Sequence, residues 1–191
     1  MAKVIEAIRT LKPTHHPVLG DGILELTDIK SSPYPGASVV PEYCRATYDR
    51  RLLVGETMES VLAPIQALLE QLQTEDPKLK VQVSYAVGKE LCHTGNEIEG
   101  ERFFPGWLFE ENADFVQAVY HQLKDMGYDP EITRYNFCTN GSHYAGEAGI
   151  KTLGLGPSRE NLAHTVEEYI EIDQLVKVCH CYTGVMAALL K

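Results

Sequence analysis

The apolar positions of the chain fall into two spacings, and together they predict a run of short elements. Val4, Ile5, Ile8 and Leu11 recur at helical spacing, which predicts a first helix over Ala2–Leu11, stopped by Pro13. Ile23, Leu24, Leu26 and Ile29 alternate with polar positions and predict a strand over Gly20–Ile29. Ser31–Gly36 is a turn cluster. Within Val39–Leu53, Cys44, Ala46 and Tyr48 oppose Arg45, Thr47 and Asp49, so a second strand with one polar face is expected. A helix opened by Glu56 or Thr57 should run over Met58–Leu72, with Val61, Leu62, Ile65, Leu68, Leu69 and Leu72 on its apolar side. Lys80–Val87 alternates again and reads as a strand. The order is helix–strand–strand–helix–strand. One strand ahead of the first helix would complete β-α-β-β-α-β, the ferredoxin-like sandwich, so the chain enters that fold one strand late.

Gly88–Trp107 mixes polar residues with glycines and prolines and reads as a linker. The domain organisation expected is a first domain over 1–92, a linker over 93–107 and a second domain over 108–191. In the second, a helix is predicted over Asn112–Met126, closed by Gly127, then short strands over Ile132–Phe137 and Lys151–Leu155. Thr139–Gly149 holds a short helix among three glycines, and Gly156–His164 is a loop. Val166–Leu190 reads as mostly one long final helix. Strands alternating with helices point to an α/β fold, an α+β first domain followed by part of a three-layer α/β domain.

Composition narrows the classes. Lys and Arg number 17 against 27 Asp and Glu, a net charge of −10, which disfavours a phosphate-binding surface and hence nucleic acid. No run approaches the ~20 apolar residues of a membrane span. The five cysteines form no C-x-x-C pair, and the amphipathic start MAKVIEAIRTL has no signal-peptide core, so a cytoplasmic protein with free thiols is expected. Cys179, His180 and Cys181 project about 100° apart on a helix and do not converge on one ion.

Three segments carry the chemistry: Gly36–Arg51 (GASVVPEYCRATYDRR), Thr139–Pro157 (TNGSHYAGEAGIKTLGLGP) and Ala163–Ile170 (AHTVEEYI). Read alone, Asp49 and Arg51 share one strand face, and Arg51 either grips a carboxylate or pairs with Asp49 or Glu42 on the surface. His164 is either a helix-entry residue followed by first-turn acids or a ligand whose tautomer a carboxylate fixes. In order and spacing the three segments resemble the C-terminal part of the dinuclear-zinc metallopeptidase family of aminoacylase, succinyl-diaminopimelate desuccinylase and carboxypeptidase G. That family's pattern is a V-I-P…D-x-R strand, a G-G-T turn running into G-I-P…G-P, then H-x-x-[ND]-E. The E-Y-C…D-R-R-L…G-E-T run is closest to the selenium-metabolism-linked deacetylase and peptidase subgroup.

The resemblance implies a partial ferredoxin-like lid and dimerisation domain, then the C-terminal half of a zinc-peptidase catalytic domain. It implies a metal-ligand role for His164 with Glu168 behind it, and substrate binding by Arg51 and by the Asn140–Gly141–Ser142 turn. Gly154, Gly156 and Pro157 would form the turn that aims His164. Two departures stand out. Ser38 replaces the family's usual Asn, and Ser142-His143-Tyr144 replaces Thr-Asp or Ser-Asp, leaving His143 between substrate contact and scaffold. His15, His16, His93, His121 and His180 are expected not to be ligands.

The family's chemistry is hydrolysis of the amide bond of an N-acyl amino acid or small peptide by a metal-activated water. It needs two zinc ions, with cobalt or manganese as substitutes, and donors from an H-x-D pair, a bridging Asp and a Glu-Glu pair. No H-x-D occurs here, and the two Glu-Glu pairs are Glu110-Glu111 and Glu167-Glu168. The expectation is therefore a C-terminal portion, inactive by itself, that pairs as a homodimer through its lid or joins a complementary N-terminal half. The alternative is a non-catalytic dimerisation or binding module derived from the family.

Overall fold

The computed structural model describes residues 1–36 and 38–190. Ala37, inside the first motif segment, and Lys191 lie outside the described residues. The fold is mixed α/β, with every strand pair antiparallel, and it divides into two compact units, Met1–Gly106 and Trp107–Lys191. Among the described residues no helix is long and apolar enough to cross a membrane.

The first unit begins with α1 (Ala2–Ile8), which buries Val4 and Ile8. Two short strands follow, β1 (His15–His16) and β2 (Gly20–Asp21), joined by a turn that places Gly20 at φ +80°, a conformation glycine adopts without a Cβ clash. β3 (Ile23–Ser32) and β4 (Tyr43–Arg51) form the main hairpin, with Ile23 opposite Arg51, Ser32 opposite Tyr43, and a register shift between Leu26 and Asp28. On β4 the residue that enters the core is Tyr48, whereas Cys44 is exposed.

α2 (Met58–Glu75) starts where its sequence predicts. Thr57 caps it: the hydroxyl accepts from Ser60 N–H, and the Ser60 hydroxyl accepts from Thr57 N–H. The helix extends beyond Leu72 to Glu75 and carries Pro64 inside it. Val4, Ile8 and Leu69 form the buried centre of this unit, and Leu24, Tyr48, Ile65, Val81 and Val83 pack around it. Below it, the Glu56 carboxylate accepts from Leu53 N–H (2.7 Å) and the Thr14 hydroxyl (2.8 Å), and pairs with Arg50. Arg50 also donates to the Arg51 carbonyl, so it ties the end of β4 to the start of α2.

Two expectations change here. Residues 81–86 keep their alternation, with Val81, Val83 and Tyr85 half-buried between exposed neighbours, but among the described residues they belong to no sheet. The segment read as linker contains a hairpin instead, β5 (Val87–Leu91) with β6 (Glu97–Glu101), turned at Gly95 (φ +84°). Nearly every residue of this hairpin is exposed on both faces, so no hydrophobic alternation marks it.

The second unit is built on α3 (Asp114–Asp125), closed by Gly127 at φ +84°, and α4 (Ile172–Leu189). Val119, Leu123 and Cys181 form its centre. Gly184 of α4 lets Leu123 and Met126 of α3 approach closely. Three expectations change. Residues 132–137 and 151–155 form no strand, because among the described residues they pair with no neighbouring segment, and 136–137 bend. The final helix begins at Ile172, not at Val166. Ser158 explains that start: its hydroxyl donates to the Tyr169 carbonyl (3.2 Å) and its N–H to the Gln174 side chain (2.6 Å), which holds 166–171 outside the helix. The short helix expected within Thr139–Gly149 is a π-helix over Ser142–Glu147.

Candidate functional site

In the first unit, Arg51 stands on the last residue of β4. Its Nε and Nη2 donate to one carboxylate oxygen of Asp49, at 3.0 and 2.9 Å. Both side chains are 45% exposed. An exposed pair of this kind contributes about 0–1 kcal/mol, so exchanging Asp49 for a substrate carboxylate costs Arg51 little. Arg50 faces the other way into the Glu56 network and is structural. Ser38 is exposed.

In the second unit, Asn140, Gly141 and Ser142 form one tight turn entering the π-helix. The Ser142 N–H donates to the Thr139 carbonyl (3.1 Å), and the Gly141 N–H to the Thr139 hydroxyl (3.1 Å). Asn140 is exposed, while Gly141 and Ser142 are buried. The Ser142 hydroxyl lies 3.6 Å from the Cys138 thiol. The indole of Trp107 lies against Gly141 so closely that a Cβ there would sit 2.6 Å from Cζ2. Phe109 packs against Trp107, and Phe115 stands edge-on to Phe109. His143 pairs with Glu147 one turn on, at 2.9 Å. Trp107, Thr139 and Glu147 were not singled out from the sequence. The signals available were that Trp107 is the single tryptophan and that Glu147 is four residues from His143.

His164 is exposed and lies at φ +62°, in the left-handed region. Its N–H donates to the Glu168 carboxylate at 3.0 Å. Glu168 thus holds the backbone of His164 and not its ring. A non-glycine residue in this region is uncommon, and such strain gathers at functional sites. Among the described residues, no three His, Cys, Asp or Glu side chains gather to hold a metal ion. A catalytic zinc needs about three protein ligands. The donor set of this chain therefore does not fit a metal ion by itself.

Three of the remaining histidines engage locally. His15 pairs with Asp21 (2.6 Å), His16 Nδ1 accepts from Val18 and Leu19 N–H, and His180 pairs with the Tyr128 hydroxyl (2.7 Å). Burial pushes the Cys181 thiol up from its ordinary pKa, and the Tyr135 phenol likewise.

The family model for peptidase family M20/M25/M40 matches residues 13–188, a span that runs through both units and contains Arg51, the 140–142 turn and His164. The chain belongs to the M20/M25/M40 peptidase family. It is similar to the proteins named "Uncharacterized protein YgeY" of Escherichia coli strains K12 and O157:H7, at 31% identity over 168 residues. That alignment covers 87% of this chain and 40% of each relative, so the chain spans well under half the length of the M20/M25/M40 proteins it matches.

Proposed function

We propose that this chain is the C-terminal portion of a zinc-dependent metallopeptidase or amidohydrolase acting on the amide bond of an N-acyl amino acid or small peptide. The observation that carries the reading is His164: an exposed imidazole on a left-handed backbone, held by Glu168, inside the family-matched span. The proposed roles are one metal donor for His164, carboxylate binding for Arg51, and substrate orientation by Asn140, Gly141 and Ser142, with Glu168 positioning His164. The other donors and the general base would come from sequence outside this chain. What the ion supplies when bound is an activated water.

The shape of α4 supports the same reading. One side packs on α3 through Cys181 and Gly184. Another exposes Ile172 (77%), Val176 (65%) and Met186 (52%). This exposed apolar side suits burial against further protein, while Asp173, Lys177 and His180 keep a polar side. Within the family, the E-Y-C…D-R-R-L…G-E-T run favours the selenium-linked deacetylase and peptidase subgroup, in the cytoplasm and as a homodimer through the first unit.

The test is activity and zinc content of the purified chain, alone and co-expressed with the remaining portion of a full-length family member. With zinc and N-acetyl amino acids, the chain alone should release no product, and the two-part complex should. Turnover by the chain alone would overturn the reading. A stable complex that binds no zinc would favour the non-catalytic module instead.

A further inference from the structure

Two cations face each other near the loop end of the β3–β4 hairpin. Lys30 on β3 and Arg45 on β4 are direct cross-strand partners, so both side chains leave the same face. Like charges placed this way repel. Elsewhere in the first unit the cations meet acids. Lys89 stands opposite Glu99 in the β5–β6 hairpin and pairs with it, and Arg50 and Arg51 are matched by Glu56 and Asp49. Lys30 and Arg45 have no such match: among the described residues neither side chain makes an ion pair or a hydrogen bond. Asp28 lies two positions along the same face and Glu42 just ahead of β4, and neither pairs with them.

The surroundings of the two cations supply walls. Ser32 and Tyr43 are the next cross-strand pair on that face, and Tyr34 follows in the connecting loop. With Ser31 they line an open groove of about 370 Å³ around Lys30 and Arg45. Small-molecule sites occupy about 300–1,000 Å³. Tyr34 is 73% exposed and Tyr43 66%, so two phenol rings stand in solvent beside the charges.

From this we infer that the β3–β4 hairpin binds a small phosphate monoester carrying a planar ring, with the phosphoryl group between Lys30 and Arg45 and the ring against Tyr34 and Tyr43. Two fixed cations on one face call for a dianion. The terminal oxygens of a phosphoryl group accept from the forked Arg45 guanidinium, the Lys30 ammonium and the Ser32 hydroxyl together. A monocarboxylate would leave one cation unmatched. The net charge of −10 repels any polyanion that extends beyond the pair, which limits the ligand to a small one. This inference rests on the hairpin and not on the hydrolase reading.

The experiment is calorimetric titration of the full chain with phenyl phosphate, inorganic phosphate and a single-stranded oligonucleotide. It compares wild type with Lys30→Gln, Arg45→Gln and Lys89→Gln. Phenyl phosphate should bind at least tenfold more tightly than inorganic phosphate. Lys30→Gln and Arg45→Gln should each weaken it at least tenfold, and Lys89→Gln should leave it unchanged. Each of the first two variants also removes the repulsion, so its urea midpoint without ligand should equal or exceed that of wild type. That measurement separates lost binding from lost folding. Four results would overturn the inference: no binding at millimolar phenyl phosphate, equal weakening by Lys89→Gln, tighter binding of inorganic phosphate or the oligonucleotide than of phenyl phosphate, or a lowered midpoint in both Lys30→Gln and Arg45→Gln. Loss of hydrolysis in the two-part complex would leave these results untouched, so the two readings fail separately.

Discussion

Replacing Gly141 by alanine isolates one contact in the candidate site. Gly141 has φ −55° and ψ −27°, ordinary helical values, so alanine meets no backbone penalty there. With free space the change would even stabilise, by about 0.4–1 kcal/mol, through the unfolded chain. The space is not free: the new Cβ would stand 2.6 Å from Cζ2 and 2.7 Å from Cε2 and Nε1 of Trp107. Ordinary carbon contacts lie near 3.5–4.0 Å, so the indole must retreat by about 1 Å. Phe109 and Phe115 stand behind it and resist. Overpacking of this type costs about 1–3 kcal/mol, leaving a net loss of about 1–2 kcal/mol. Urea denaturation followed by circular dichroism measures it, and the emission of the single tryptophan reports the displacement directly. A Trp107→Phe background removes the three close indole atoms, so Gly141→Ala should cost at least about 1 kcal/mol less there. Equal costs in the two backgrounds, or an unmoved emission spectrum, would refute the account.

Three further outcomes follow from the same geometry. Glu56→Ala strips Leu53 N–H of its acceptor and leaves Arg50, only 18% exposed, without its carboxylate; the urea midpoint should show a loss of about 2–4 kcal/mol, with Glu56→Gln losing less. His164→Gly suits the φ of +62° and should keep stability within about 0.5 kcal/mol of wild type, or above it, while abolishing turnover in the two-part complex; a loss above about 1 kcal/mol would show that the ring serves packing. Burial raises the Cys181 thiol pKa, so its contribution is whole below the ordinary thiol pKa and is lost as pH rises past it, because the unfolded thiol ionises first. Between pH 7 and about 9.5, wild type should therefore lose more stability than Cys181→Ala.

The helices were legible because their information is local. The i, i+3, i+4 spacing of Val61, Ile65, Leu68 and Leu72 and the hydroxyl of Thr57 fix α2 from within its own sequence. α3 and Gly127 follow in the same way. The three motif segments were legible as residue types in order, and Arg51, the 140–142 turn and His164 fall inside the family-matched span. Its geometry was not. That Asp49 occupies Arg51, that Trp107 closes over Gly141 and that Glu168 binds the backbone of His164 depend on contacts that spacing does not encode.

Strands divide the two kinds of information most clearly. The alternation at 81–86 gave the half-buried and exposed faces, whereas the strands expected at 132–137 and 151–155 do not form. None is a strand, because a strand's hydrogen bonds belong to a neighbour elsewhere, and that neighbour is absent among the described residues. Conversely, 87–101 pairs with itself across a tight turn despite having no apolar face. The sequence alone determined α2, α3 and the family, and placed the final helix except for its start. Only the tertiary structure decided which extended segments find partners, because pairing is a property of two segments and periodicity is a property of one.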